Sequence, residues 1–291
     1  MAELKLISPL LSNMEVVECV SVRGAAAVYI VRSTKSGQTY VLKHISVPES
    51  QKQVDALMFT GAAATKEDAQ KYYEQVVSDY QTELTTLETL SASPNLDCFR
   101  SYQIAPKEDG VGYDMYLLAE HRKTLVDYLS DNAMTKLCAV NLAMDLCSAL
   151  IDLRAAGLIH RDVKPEHVLM DAEGELFLID LDAAMRIEPQ KANDTRLLGT
   201  TGYAAPEQFG LTRSDVRTDV FAVGIFLNTL LTGQHPAVLR YQNGSAARVI
   251  QRCIEMNPMD RYQSMAELRA ALARAKAEAV RGEVLAAEGY A

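Results

Sequence analysis

The 291-residue sequence contains no tryptophan and no C-x-x-C pair, and none of its apolar runs approaches the ~18–20 residues a membrane span needs. Its start, Met1-Ala2-Glu3-Leu4-Lys5, lacks a basic segment followed by an apolar core, so no secretory signal is read there. The five cysteines, at positions 19, 98, 138, 147 and 253, are odd in number and scattered. That argues against a disulfide framework or a cysteine zinc site and points to reduced thiols in a cytoplasmic protein. Positive charge is also short: 29 Lys+Arg stand against 38 Asp+Glu, a formal net charge of −9. Neither nucleic acid nor membrane is therefore expected as a partner of this chain. What is present is ordinary globular composition, 48% hydrophobic and 23% charged, long enough for two lobes that each bury a core.

Up to about residue 120 the chain reads mainly as strands. Met14–Val20, Val28–Arg32 and Thr39–Ile45 are rich in β-branched residues and tyrosine, with Lys35-Ser36-Gly37-Gln38 turning between the last two. Phe99–Ala105 and Tyr113–Ala119 form a second hairpin around Glu108-Asp109-Gly110. Between these groups lies a long helix. Thr65-Lys66-Glu67-Asp68 opens it as a capping box, with Asp in place of the usual Glu or Gln. Tyr72, Val76, Tyr80, Leu84 and Leu87 then recur at helical spacing.

Beyond residue 120 helices dominate. Leu137, Val140, Met144, Cys147 and Ile151 mark one helix face, which Gly157 is placed to end. Short strands at His167–Met170 and Glu175–Asp180 follow, then an apolar stretch at Val220–Leu231 and an alanine-rich packing helix at Ala266–Ala279. The expected class is α+β, with a strand-rich N-terminal lobe over 1–119, a helical C-terminal lobe over 120–275 and a tail over 276–291.

The most informative stretch is His160-Arg161-Asp162-Val163-Lys164-Pro165-Glu166-His167, a polar loop between a helix and a strand pair. Asp180 follows thirteen residues after His167, and Gly199-Thr200-Thr201-Gly202-Tyr203-Ala204-Ala205-Pro206-Glu207 comes next. In this order and spacing, with Ser214–Gly224 and Arg261, the sequence resembles the protein kinase family, specifically the bacterial Ser/Thr kinases, over about residues 14–275. The resemblance implies a two-lobed kinase-like fold: an antiparallel N-lobe sheet with one main helix, a mostly helical C-lobe, and ATP with a divalent metal in the cleft between them.

Phosphoryl transfer asks a protein for positioning and charge neutralisation more than for covalent chemistry. On the resemblance, Asp162 orients the attacking hydroxyl or accepts its proton, Lys164 offsets charge on the phosphate, and Asp180 supplies a hard oxygen ligand for the metal. Lys43 matches the family's phosphate-gripping lysine and Glu83 its glutamate partner. Glu83 also interrupts an apolar stripe of Val76, Tyr80, Leu87 and Leu90, where a carboxylate needs a partner. Glu88 points elsewhere and is the weaker candidate. Thr200 matches a threonine that bridges the catalytic aspartate and lysine, which favours Ser/Thr substrates. Arg161 implies control by activation-segment phosphorylation, with Thr195 and Thr201 as acceptors; Thr195 reads equally as an ordinary exposed threonine. His160 and Arg161 read as structural, as do Glu207 and Arg261 as an ion pair and Asp219 as a brace for the catalytic loop. The backbone of Glu120-His121-Arg122 would bind adenine, with Ala119 leaving a roomy back pocket.

Three departures stand out. Ser21, Arg23 and Ala26 occupy the positions of the family's phosphate-loop glycines, so Ser21, Arg23, Gly24, Ala26 and Val28 are the cofactor-binding candidates beside Lys43, Glu120 and Arg122. His167 stands where the family has a metal-binding asparagine, and imidazole suits manganese or zinc better than magnesium. The D-F-G triplet reads Asp180-Leu181-Asp182, so Asp182 is either a second oxygen ligand or a surface acid. His44–Ala64 also lengthens the gap from Lys43 to Glu83, as an insertion or as an extension of the helix.

The expectation is an ATP-dependent transferase that uses Mg2+ or Mn2+, phosphorylates Ser/Thr hydroxyls of a protein substrate and self-associates for autophosphorylation. Two alternatives stand beside it. One is a pseudokinase acting as a nucleotide-binding regulatory module, suggested by the altered loop and His167. The other is a small-molecule phosphotransferase, suggested by Ile179-Asp180-x-Asp182 and opposed by Gly199–Glu207 and the helix from Thr218.

Overall fold

Strand-forming segments alternate with tight turns through the first part of the chain, and they pair into one five-stranded antiparallel sheet. In the computed structural model, residues 11–90, 92–97, 99–108, 110–180, 184–186, 200, 202–209 and 213–287 are described, with the backbone alone for 83, 185, 186 and 285–287. The chain divides into two compact units, Met1–Ala92 with Asp97–His121, and Ser93–Leu96 with Arg122–Ala291. The first unit thus closes at His121, and Ser93–Leu96 belongs to the second.

In the first unit the sheet runs β1 (Met14–Arg23), β2 (Ala26–Ser33), β3 (Thr39–Val47), β5 (Tyr113–Glu120) and β4 (Ser101–Pro106), in that spatial order. One face buries Tyr29, Val31, Tyr40, Leu42, Tyr116 and Leu118 beneath Leu11. The other packs Val47 and Met115 against α1 (Gln51–Phe59) and α2 (Lys66–Leu90), through Val54, Ala69, Tyr73 and Val77. Each Val, Leu or Met side chain among them taken from water stabilises the unit by about 1.5–3 kcal/mol.

The segment His44–Ala64 is therefore an insertion with its own helix, not an extension of α2. It finishes β3, turns, and forms a separate helix anchored by Val54, 1% exposed. The capping box at the start of α2 is reciprocal: the Asp68 N–H donates to Thr65 Oγ1 at 3.1 Å, and the Thr65 N–H donates to Asp68 Oδ2 at 3.1 Å. The expected apolar stripe is displaced. Tyr72 and Tyr80 are 47% and 39% exposed, while Ala69, Tyr73, Val77, Leu84 and Leu90 are buried. The aromatic rings of Tyr72 and Tyr80 have a polar tip that water accepts, whereas the side of α2 facing α1 admits only the neighbouring positions.

The β1–β2 connection, where the resemblance places the family's phosphate loop, is a tight hairpin. Ser21 pairs with Val28, Val22 with Ala27 and Arg23 with Ala26, so the hairpin is laddered to a two-residue tip. Only Gly24, at φ 54°, takes the left-handed backbone such a turn demands. Gly112 is constrained more tightly, because a Cβ there would lie 2.1 Å from the Val47 carbonyl oxygen.

The second unit is mainly helical: α3 (Leu125–Asp131), α4 (Lys136–Ala155), α5 (Val216–Thr232), α6 (Gly244–Cys253) and α7 (Met265–Ala287). Two small sheets accompany them. One orders β6 (Lys123–Thr124), β8 (Val168–Met170) and β9 (Leu176–Leu178), and the other pairs β7 (Leu158–Ile159) with β10 (Met185–Arg186). Helix α4 is buried on most of its circumference, including Ala139, Ala143, Leu146 and Leu150 outside the expected single face. Strand β9 stops short of Asp180, whose φ of 64° is incompatible with an extended strand. Helix α7 continues through Ala287, so the expected boundary at residue 276 falls inside a helix. Among the described residues no helix is long and apolar enough to cross a membrane.

Candidate active site

The loop from His160 to His167 is held by partners from three directions. From α5, the Asp219 carboxylate accepts the backbone N–H of His160 at 2.9 Å and that of Arg161 at 2.8 Å. Helix α5 can place it there because Asp215 caps its first turn reciprocally with Thr218, one residue before Asp219. Burial pushes the Asp219 carboxyl up to about 6, against the pull of its two backbone donors and the Arg161 charge.

His160 ties the loop to the strand leading to Asp180. Its Nε2 donates to the Ile179 carbonyl oxygen at 3.0 Å, and Nδ1 accepts from the Asp162 N–H at 3.3 Å. Those two roles fit one neutral tautomer. Burial holds the imidazole down at about 4, so it stays uncharged at neutral pH. Arg161, 4% exposed, sits at φ 70°, left-handed backbone that a side-chain-bearing residue rarely adopts.

Asp162, Lys164 and Thr200 form a closed triangle. Lys164 Nζ donates to Asp162 Oδ2 at 3.0 Å and to Thr200 Oγ1 at 2.6 Å; Thr200 donates to Asp162 Oδ1 from its hydroxyl at 2.7 Å and its N–H at 3.0 Å. Burial alone would raise the Asp162 carboxyl, but the Thr200 and Lys164 hydrogen bonds and the nearby positive charge outweigh it, leaving the group below the usual aspartate range. Asp162 is therefore ionised at neutral pH, and able to accept a proton or orient a hydroxyl.

His167 stands between two aspartates. Its Nδ1 lies 2.9 Å from the Asp162 carbonyl oxygen, and Nε2 lies 2.9 Å from Asp180 Oδ2. A carbonyl only accepts, so Nδ1 carries the hydrogen and Nε2 is the nitrogen left to face the Asp180 carboxylate. In neutral imidazole the Nε2 lone pair and Asp180 Oδ2 converge, a donor set that fits one divalent ion. Among the described residues no group of three or more His, Cys, Asp or Glu side chains is gathered to hold a metal. Water and substrate phosphates would complete such a shell, as they commonly do for magnesium.

A buried ion pair secures the segment after Thr200. Arg261 reaches Glu207 with NH1–Oε1 at 2.8 Å and NH2–Oε2 at 3.0 Å, and Thr218 donates to Glu207 Oε1 at 2.9 Å. Two residues that sequence reasoning missed do similar work. Gln208 bridges Ala205 and Arg161, and Asn95 donates to the Leu176 carbonyl while its own carbonyl accepts from Leu178. The only sequence signal for either was adjacency: Gln208 follows Ala205-Pro206-Glu207, and Asn95 follows Pro94.

The remaining candidates are distributed as follows. Lys43 stands on β3 opposite Val28 and Leu117, with the strand parity of Ile45 and Val47, on the side of α1 and α2. Ser21, Arg23, Gly24, Ala26 and Val28 form the β1–β2 hairpin, and Ala119 lies on β5. Glu120 ends β5 opposite Tyr40 and meets Arg100 at 3.3 Å. Arg122, in the second unit, stacks its guanidinium 4.0 Å over the Phe177 ring. Glu83 lies on α2, but its side chain is outside the described residues, as are Asp182, Thr195 and Thr201.

Comparison with known proteins gives a consistent family. The sequence model of the protein kinase domain matches residues 23–275. A probable serine/threonine-protein kinase of Clostridium perfringens is 26% identical over 288 residues, covering 90% of this chain and 38% of that protein. The serine/threonine-protein kinase PknB of Mycobacterium tuberculosis is 30% identical over 201 residues, covering 60% of this chain and 32% of its own length; PknB of Mycobacterium leprae is 29% identical over 200 residues. The chain thus spans about a third of the length of the curated relatives it matches.

Proposed function

This chain belongs to the protein kinase domain family, and on that premise we propose that it transfers the γ-phosphate of ATP to Ser/Thr hydroxyls of a protein substrate, itself included. The observation that carries the reading is the triangle of Asp162, Lys164 and Thr200. An ionised carboxylate, a fixed ammonium and a bridging hydroxyl are what an incoming alcohol and a transferring phosphoryl group require at one place.

Asp162 orients the acceptor hydroxyl and takes its proton. Lys164, held on Asp162 and Thr200, offsets negative charge that shifts during transfer. Lys43 supplies a second ammonium for the ATP phosphates, with Glu83 as the partner that fixes it. Asp180 and His167 are the residues that would hold a divalent ion, whose chemistry when bound is to neutralise and align the phosphates. Because one of the two is an imidazole, manganese is preferred over magnesium. Asp182 is the further oxygen ligand, and Thr195 and Thr201 are the acceptors for autophosphorylation, which requires transient self-association.

Incubating the purified chain with ATP and either Mg2+ or Mn2+, then locating phosphate by mass spectrometry, tests the reading. Phosphate that appears in the wild type and vanishes in Asp162→Asn and Asp180→Asn is the expected result. Nucleotide-dependent thermal stabilisation with no phosphate in either metal would replace it with a binding module that senses nucleotide.

A further inference from the structure

Arg161, immediately before the proposed catalytic aspartate, is clamped on both sides of its left-handed backbone. Its N–H is taken by Asp219 at 2.8 Å. Its carbonyl oxygen is taken by the Gln208 amide, with Nε2 donating at 2.8 Å. The other end of that amide is committed too, since Gln208 Oε1 accepts the Ala205 N–H at 2.9 Å. The two partners leave one orientation of the side chain: a carbonyl must face the NH2 group, and an N–H must face the oxygen. Gln208 is 3% exposed, so water cannot readily substitute for either bond.

We propose that Gln208 is a positioning residue for phosphoryl transfer, acting through the Arg161 peptide to hold the Asp162 carboxylate in line with Lys164 and Thr200. The inference rests on the kinase reading and adds a residue to its machinery. The carbonyl that Gln208 holds belongs to the peptide bond joining Arg161 to Asp162. If it loses its donor, that peptide is held only through the Asp162 N–H, at 3.3 Å from His160 Nδ1, and can rotate out of an unfavourable conformation, turning the aspartate with it. Gln208 also links two anchored regions. Its neighbour Glu207 is fixed to Arg261 and Thr218, whereas Gln208 reaches the catalytic loop, so the scaffold under the Pro206–Phe209 turn sets the loop's geometry.

The test is a steady-state comparison of the full chain with Gln208→Glu and Gln208→Met, with ATP and Mn2+, alongside thermal melts. Gln208→Glu keeps an acceptor for Ala205 but loses the donor to Arg161, and Gln208→Met loses both at similar volume. The expected result is a kcat about 10- to 100-fold lower in both variants, with KM for ATP within about twofold of wild type. Wild-type kcat in either folded variant overturns the proposal, as does activity falling only in proportion to the folded fraction. A wild type that transfers no phosphate overturns the kinase reading itself, and this proposal with it. Should Gln208→Glu fail to fold, Gln208→Met alone decides.

Discussion

Glu207 and Arg261, 54 residues apart in the sequence, face each other through two parallel hydrogen bonds of 2.8 and 3.0 Å, with Arg261 entirely shielded from solvent. The pair is worth most when one member is removed, because the survivor is then a buried charge without its counter-ion. Arg261→Met should destabilise the second unit by about 3–5 kcal/mol and lower its melting temperature by roughly 10 °C. Replacing both residues with apolar ones should cost less than the single change, although both variants lose the bonds from Arg261 to the Glu255, Arg217 and Met256 carbonyls. Calorimetry of the three proteins checks this; equal losses for the single and double variants would refute it.

Thr200 touches both proposed catalytic residues, yet makes no proton transfer itself. Thr200→Val keeps the shape and removes the hydroxyl that Lys164 and Asp162 share. The expected consequence is a kcat about 10- to 100-fold lower, with little change in KM for ATP. A variant as fast as wild type would show that the triangle is structural.

His167 in place of a purely oxygen-bearing side chain should appear in metal preference. Wild-type activity is expected to be higher with Mn2+ than with Mg2+, and His167→Asn should shift that ratio toward Mg2+ by about tenfold. Asp182→Asn should raise the metal concentration required for half-maximal rate. Metal titrations at fixed ATP read both effects, and unchanged ratios would remove these residues from the metal site.

Two buried groups give stability opposite dependences on pH. His160 is held at about 4 against an ordinary 6.5, so its contribution is complete above about pH 6.5 and lost as pH falls through about 4. Asp219 is pushed up to about 6, so its contribution is complete in acid and lost as pH rises through about 6. Over that shared window the two offset each other. His160→Gln removes the first, so its stability relative to wild type should improve steadily from pH 7 to pH 4.5. Urea midpoints at half-unit intervals measure it, and a constant difference would exclude His160 as the titrating group.

Much of the fold was legible because its signals are local. Strands β2, β3, β4 and β5 lie within two residues of where β-branched content and the intervening turns put them, and Thr65 with Asp68 forms the cap their spacing announced. The misses have local causes. Helix α1 buries Val54 alone among its nine residues, too little apolar pattern to announce a helix. Tyr72 and Tyr80 were placed in the apolar stripe because they share helical spacing with Val76 and Leu84, but tyrosine tolerates a half-exposed position. Asp162, Lys164 and Thr200 were recognisable through a shared family pattern, since no periodicity joins residues 36 and 38 apart. Gln208 was invisible for a related reason: a single buried amide leaves no spacing to read, and its meaning lies in which two backbone groups it reaches.

The four residues Ser93–Leu96 come three positions after the end of α2 yet belong to the second unit, where Leu96 bridges to Leu178 and Asn95 pairs with both Leu176 and Leu178. Dissection of the protein is constrained accordingly. A fragment begun at Arg122 would leave the Leu178 N–H and the Leu176 carbonyl stripped of their partners inside a folded interior. It should express poorly, whereas a circular permutant that carries residues 93–96 along with the second unit retains every one of those bonds.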